Sequence, residues 1–340
     1  MYLVKTENLI LNPQEGTRRL PWYLAMEEYI ATHIRELVPL SPEGVREAFF
    51  TWQAPPAVIF GRNQVMEAEV NLRFCRERGI DIVRRKSGGG CVYSDMGNIM
   101  MSYICDRRGV ESVFGSFIER VVAVLRDLGV DAVRSGRNDI MVDGRKISGN
   151  AFEVLPQSCI VHGTLLFNID MDSLESAITP SPAKIRSKGV NSLRQHVANL
   201  SEFIEETDPS AIRNCLEKSL CSDSITLDKQ ALKDIHEIEK TYLDEDFING
   251  KNHLYEREKH FIINGIGEFA VSIEKKGDNI RSFNISGDYF STSDPKDEIG
   301  SLLAGTIDEK DAVASSLKGF DLGDYIPGLS TETFVNELYK

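Results

Sequence analysis

The chain has 340 residues and a formal net charge of −13, with 41% hydrophobic and 27% charged residues; it is longer than one typical domain and apolar enough to bury a real core. The acidic balance excludes non-specific binding to nucleic acid or anionic lipid. No apolar run approaches the roughly 18 residues of a membrane span, and Met1 to Asn8 has neither a basic nor an apolar leader region, so neither membrane attachment nor export is expected. Cys75, Cys91, Cys105, Cys159, Cys215 and Cys221 show no C-x-x-C spacing and no grouping with the six histidines. Reduced thiols in a cytoplasmic protein, without a structural metal, are the expectation.

Pro21 to Leu37 predicts the first helix, with Trp22, Ala25, Met26, Tyr29, Ile30, His33, Ile34 and Leu37 on one apolar face. Two strands, Glu47 to Trp52 and Ala57 to Phe60, flank an Ala-Pro-Pro turn. Gly61-Arg62-Asn63-Gln64 then reads either as a plain turn or as polar groups aimed into a site. A short helix, Val70 to Gly79, delivers the chain to a strand over Asp81 to Arg84. There follows Arg85-Lys86-Ser87-Gly88-Gly89-Gly90-Cys91-Val92-Tyr93-Ser94-Asp95-Met96-Gly97-Asn98, with a buried strand expected at Ile99 to Ile104. Three glycines in a row let backbone N–H groups approach a ligand without an intervening Cβ, which suits phosphate; a tight turn is the alternative. No Gly-Lys-Ser/Thr opens a helix, and contiguous glycines followed by a strand are not a dinucleotide fingerprint.

Ser112 to Leu128 predicts an amphipathic helix stopped by Gly129. Asp143-Gly144 between Ile140-Met141-Val142 and Arg145-Lys146-Ile147 is a type I′ hairpin signal. Alternation puts Arg145 and Lys146 on opposite faces, so one points inward and needs an anionic partner, unless the hairpin end is exposed. Ser158 to Asn168 reads as an apolar strand interrupted by His162, Gly163 and Thr164, marking either close approach of another group or a satisfied core histidine. Leu174 to Ile178 is helical, and Thr179-Pro180-Ser181-Pro182 breaks it. Ala183 to Asn191, carrying Lys184, Arg186 and Lys188, is a basic loop able to close over a site. Helices follow at Pro209 to Leu220 and Asp228 to Tyr242. The character changes near Asp244 to Lys251, which places one domain over residues 1–245 and a second over 246–340. Strands at Lys259 to Asn264, Glu268 to Lys275 and Asn279 to Ile285, then helices at Asp297 to Leu303, Glu309 to Leu317 and Thr331 to Leu338, make the second a small α+β domain.

Taken together, Arg84 to Asn98, Gly136-Arg137-Asn138-Asp139, Arg145-Lys146-Ile147-Ser148-Gly149, His162-Gly163-Thr164-Leu165-Leu166 and Ser187-Lys188-Gly189-Val190 resemble, in order, the motifs of the bacterial lipoate-protein ligases. The resemblance implies an α+β fold, a biotin/lipoate-ligase-like mixed sheet flanked by helices with a small C-terminal accessory domain that moves during the cycle. It implies ATP-dependent activation of lipoate to lipoyl-AMP, then transfer to a lysine of an acceptor lipoyl domain, that of a 2-oxoacid dehydrogenase E2 or of the glycine-cleavage H protein. By the same resemblance Lys146 is the catalytic lysine. Arg85, Gly90, Cys91, Val92 and Tyr93 line the ATP site, and Ser87, Gly88, Gly89, Asn138, His162 and Gly163, with Arg85, Gly90 and Lys146, hold lipoate. Mg2+ accompanies ATP, with Asp139 as its candidate ligand. The sequence departs from the family at Cys91-Val92-Tyr93-Ser94-Asp95, where the relatives commonly have Ala-Val-Phe-His-Asp. Cys91 and Cys159 therefore keep open an octanoyltransferase that works through a cysteine thioester without ATP, and a non-catalytic lipoate binder is the third reading.

Overall fold

The computed structural model describes residues 1–5, 18–136, 138–178, 196–250 and 257–340. Arg137, the proline-rich break at 179–182, the basic loop at 183–191 with its Ser-Lys-Gly motif, and residues 251–256 lie outside the described residues. The strands in chain order are β1 (Tyr2–Val4), β2 (Glu47–Trp52), β3 (Ala57–Phe60), β4 (Asp81–Arg84), β5 (Val92–Ser94), β6 (Asn98–Asp106) and β7 (Val133–Ser135). There follow β8 (Asp139–Val142), β9 (Arg145–Val154), β10 (Ser158–Leu166), β11 (Asp223–Ile225), β12 (Arg257–Ile263), β13 (Gly267–Lys276) and β14 (Asn279–Tyr289). Eight of them form a mixed sheet in the order β11-β1-β2-β6-β10-β9-β8-β7, while β4-β3-β5 and β12-β13-β14 form two three-stranded sheets.

The large sheet is organised by β6 and β10, which pair antiparallel from Ser158↔Asp106 to Leu166↔Asn98. Side chains alternate across them. Cys159, Val161 and Leu165 pack with the helix Val110–Asp127 on one face, and Ile160 with Ile104 packs with the helix Leu20–Thr32 on the other. Phe117 anchors the first face, stacked on Tyr103 at 4.9 Å and tilted against Phe49. β12 to β14 and the helices Lys296–Leu303, Lys310–Ser316 and Thr331–Leu338 close a separate core around Phe269, Phe283 and Phe334.

Three expectations are amended. The first helix breaks at His33, whose Nδ1 donates to the Tyr29 carbonyl at 2.9 Å. It is also buried all round rather than on one face, Glu28 and Thr32 excepted between Leu20 and Thr32, because the helix Lys229–Tyr242 covers its outer side. Second, the triple-glycine loop does not lead into the strand after Asn98. It ends in β5, which pairs with β3 as β4 does, so the loop belongs to the small sheet. The turn at Asp95 to Gly97 carries the chain across to β6: the Gly97 N–H donates to Asp95 Oδ1 at 2.8 Å, and a Cβ on Gly97 would lie 2.0 Å from the Asn168 carbonyl. Third, β14 runs four residues past Ile285, to Tyr289. The expected hairpin is present, with Asp143 at φ 49° and Gly144 at φ 74° as a type I′ turn demands.

No helix among the described residues is long and apolar enough to cross a membrane. Phe117→Ala removes a ring that is 1% exposed, and denaturant unfolding is expected to read a loss of about 3–5 kcal/mol at unchanged m-value.

Candidate active site

The glycine loop is shaped from beneath by arginine. Arg84 and Arg85, successive in the chain, leave β4 on opposite sides and are both buried. Arg84 donates to the carbonyls of Gly61, Arg62, Gln64 and Ile248 and lies over the Phe60 ring. Arg85 donates to Ile59, Gly88 and Gly90 carbonyls, the last two at 2.7 Å, and to Ser87 Oγ at 3.1 Å. Burial brings each guanidinium down to about 10. With the Gly88 and Gly90 carbonyls turned to Arg85, the loop keeps its amides for the other side. Gly89, at φ +89°, makes the turn possible. Lys86, the third base of the run, is bound by Glu28 at 2.7 Å and lies over Tyr242.

Ser87 leads from the loop into a buried chain of polar groups. Its Oγ lies 2.6 Å from His162 Nε2, and His162 Nδ1 lies 2.8 Å from Glu27 Oε2. Glu27 Oε1 accepts from Ser102 Oγ at 2.5 Å, which in turn accepts from Trp52 Nε1 at 2.9 Å. A carboxylate only accepts, so in the neutral ring Nδ1 carries the proton and Nε2 accepts from Ser87. Sequence reasoning found Ser87 and His162 and missed Glu27 and Ser102. The signal was there: the helix holding Glu27 has apolar residues on every side, so a carboxylate in it needs a buried partner.

Two residues along β10 from His162, Thr164 Oγ1 meets Gly149 N and O at 3.3 Å, which carries the loop's surroundings to the β8–β9 hairpin. Lys146 Nζ pairs there with Asp139 Oδ1 at 2.7 Å, each side chain 30% exposed. The bulge between Ile140 and Met141 shifts the register beside this pair, and a Cβ on Gly149 would fall 2.7 Å from the ammonium. Lys146 is thus held against backbone by an anion rather than standing in bulk water. Arg145, on the other face, pairs with Glu202 at 2.7 Å. Asn138 and Asn150 clasp one another: each amide donates to the other's carbonyl, at 3.1 and 2.9 Å. Gly163 leaves room for Asn150 Oδ1, which would lie 1.9 Å from an added Cβ.

The open side of the glycine bed is covered by the end of β14. Gly89 N–H donates to the Tyr289 carbonyl at 3.0 Å and Gly287 N–H to the Asn63 carbonyl at 2.6 Å. A Cβ on Gly88 would lie 2.4 Å from that Tyr289 oxygen, and one on Gly90 would lie 2.8 Å from the Asp288 carboxylate. Phe290 enters the large core, stacked on Phe152 at 5.3 Å with Phe114 beside it. Arg62 and Asn63 bond Ser291 at 3.3 and 3.2 Å, so the Gly61–Gln64 turn holds the C-terminal unit. Cys91 is partly buried against the apolar cluster that includes Val58, Phe60 and Tyr93, and Val92 and Tyr93 pair with Ile59 and Val58. Ser94 is buried, its hydroxyl facing Met100 Sδ and the Asn98 amide.

Residues 21–221 match the model of the lipoyl protein ligase A/B catalytic domain, and residues 252–338 that of the bacterial lipoate protein ligase C-terminus. The chain is 36% identical to lipoate-protein ligase LplJ of Bacillus subtilis over 326 residues, 93% of this chain and 96% of the relative. The chain belongs to the lipoate-protein ligase family. Among solved structures, the fold is similar to that of P. falciparum LipL1 in complex with lipoate, at TM-score 0.77 and 20% identity, over 94% of this chain and 95% of that one. A lipoate-protein ligase A bound with ATP matches at TM-score 0.58 and 26% identity, over 68% of this chain and 94% of that one.

In this member of the ligase family the covering strand and a half-buried carboxylate give two expected outcomes. Gly88→Ala drives a methyl into the Tyr289 carbonyl, so the Gly89 and Gly287 amides are expected to exchange hydrogen about fivefold faster or more, through loss of roughly 1–3 kcal/mol of local packing. Glu153, near Arg62, Glu28, His162 and Lys86, is pushed up by burial from 4.5 to about 7. The folded state then binds the extra proton between those values, so this group's contribution to stability falls as pH rises from 4.5 to about 7. Glu153→Gln is expected to raise the melting temperature at pH 8 and to change it much less at pH 5.

Proposed function

We propose that this chain joins lipoate to ATP, giving lipoyl-AMP and pyrophosphate, and then passes the lipoyl group to a lysine of an acceptor lipoyl domain. The carrying observation is Lys146, an ammonium held by one partly exposed carboxylate at 2.7 Å and lying against Gly149, which Thr164 joins to β10 two residues from the His162 that Ser87 contacts. In the first step a lipoate carboxylate oxygen attacks the α-phosphorus and the bond to the β-phosphate oxygen breaks. Two anions must meet, and a positioned cation lowers the cost of their approach and of the transition state. Lys146 exchanges Asp139 for the lipoate carboxylate and then for the acyl-phosphate, acting as a point charge. Amides of Gly88 to Gly90 take phosphate oxygens once the Tyr289 carbonyl has left Gly89, which ties adenylation to movement of the C-terminal unit, residues 246–340. Arg85 acts from behind by fixing those amides. The backbone of Cys91, Val92 and Tyr93 borders the nucleotide.

Asn138, Gly163 and His162, with Ser87, hold the hairpin and the loop in register along the lipoate. One carboxylate beside a triphosphate is the usual protein share of a Mg2+ site, and Asp139 fits that share; the ion when bound neutralises phosphate charge. Among the described residues no group of three or more His, Cys, Asp or Glu side chains could hold a metal by itself. In the second step the acceptor amine attacks the acyl carbonyl and AMP leaves. The acceptor is the lipoyl domain of a 2-oxoacid dehydrogenase E2 subunit, the glycine-cleavage H protein, or both, and the reaction is cytoplasmic, in keeping with six free cysteines. A thioester route through cysteine is disfavoured: Cys159 lies on the β10 face opposite His162, and Cys91 packs into an apolar cluster.

The test is pyrophosphate release with ATP and lipoate, octanoate or biotin in parallel. Lipoate-dependent release is expected, and Lys146→Ala should lower it by about a hundredfold or more with an unchanged melting curve. Undiminished turnover in that variant overturns the assignment of Lys146.

A further inference from the structure

Cys105 and Cys159 are used by nothing described so far, yet they face one another. They are register partners in the β6–β10 ladder, 0% and 2% exposed. Arg107 N–H donates to the Gln157 carbonyl at 2.9 Å, and bonded and non-bonded pairs alternate along an antiparallel ladder. Two pairs further in, Cys105 and Cys159 are therefore a bonded pair, with Cα atoms about 5.5 Å apart, inside the roughly 4.4–6.8 Å window of disulfides. Cys159 Sγ lies 3.8 Å from the Arg108 carbonyl oxygen. Of the two, Cys159 is the one held toward thiolate, by the Cys105 thiol and the nearby Arg107 and Arg108 charges, while Cys105 is held as the thiol. A surface cleft of about 380 Å3, lined by Arg35, Arg46, Asp106, Arg107, Pro156 and Gln157, opens at this end of the two strands. Asp106 adjoins Cys105, and Gln157 is two residues from Cys159. Cys105 and Cys159 themselves face the Phe117 side of the sheet and do not line the cleft, so a small reagent reaches them when this end of the ladder opens locally.

We propose that Cys105 and Cys159 are an oxidation site, converted by hydrogen peroxide to a reversible disulfide across β6 and β10. The Cys159 sulfur attacks one peroxide oxygen; the O–O bond breaks, a first water leaves, and a sulfenic acid remains. The Cys105 sulfur then attacks that sulfur, the S–S bond forms, the S–O bond breaks, and the Cys105 proton departs with the oxygen as a second water. Two thiols lose two electrons and one peroxide gains them. The bridge ties the strands three register pairs from Ser102↔His162, so it fixes the ladder that carries both hydroxyl and imidazole of the Glu27 chain.

The test takes the full-length reduced protein, exposes it to hydrogen peroxide at a small molar excess, blocks remaining thiols by alkylation and maps non-reduced peptides. Expected is a Cys105–Cys159 cross-linked peptide, a loss of two of the six alkylatable thiols, and their return with dithiothreitol. Cys75→Ser, at a buried cysteine outside the pair, should give the same cross-link. Recovery of Cys105 and Cys159 as free thiols after the partly buried Cys91, Cys215 and Cys221 have reacted overturns the proposal, as does their recovery as sulfinic acids without the cross-link.

Discussion

A buried guanidinium holds this site together. Arg85 is 6% exposed and has no carboxylate among its hydrogen-bond acceptors in the described residues; it is stabilised by the carbonyls of Ile59, Gly88 and Gly90 and the Ser87 hydroxyl. Isolating such a cation from water costs far more than any one contact returns, so it persists only where the surrounding backbone is bent to meet it. The glycines are what can be bent in that way. Arg84 does the same for the Gly61–Gln64 turn on the other side of β4. A pair of adjacent arginines thereby fixes two neighbouring loops to one strand end.

This arrangement also sorts the positive charge. In a chain of net charge −13, the three bases before the glycines look from composition like an anion trap. Arg84 and Arg85 are directed at backbone, and Lys86 is bound to Glu28. Lys146 differs. Its ion pair with Asp139 is part-exposed, and such pairs are held by about 1 kcal/mol or less, so exchanging one carboxylate for another is cheap. The structure thus separates cations that build the bed from the cation that can change partners.

Strand positions were largely legible in the sequence because short apolar runs bounded by strong turn signals mark them: β2 and β3, buried throughout, lie either side of Ala-Pro-Pro, β4 follows the glycine-capped helix, and Asp143-Gly144 fixes the hairpin through two positive φ values. Glu27 was passed over because a periodicity argument sorts residues by one helix face, and this helix has two covered faces. The contact between β14 and the glycine bed was not legible. Gly287, Tyr289 and Phe290 are some 200 residues from Gly88, and no local pattern encodes a meeting between strand end and loop. Their one trace is that Gly88, Gly89 and Gly90 are all glycine, a requirement that a tight turn alone would not impose on all three. His162 stood out as a polar residue in an apolar strand and Ser87 through the family resemblance, but that they touch depends on the pairing of β10 with β6 and on how the small sheet lies across it.

The Tyr289 carbonyl on the Gly89 amide sets a thermodynamic toll on whatever uses that amide next. One N–H serves one acceptor at a time, so an incoming anion competes with the chain's own oxygen, and its apparent dissociation constant is the intrinsic one divided by the fraction of molecules already undocked. Tightening the docked arrangement, by better packing around Phe290 for instance, would therefore weaken apparent affinity without altering a single ligand-contacting atom. Selection for a sturdier protein and selection for a hungrier one pull in opposite directions at this seam.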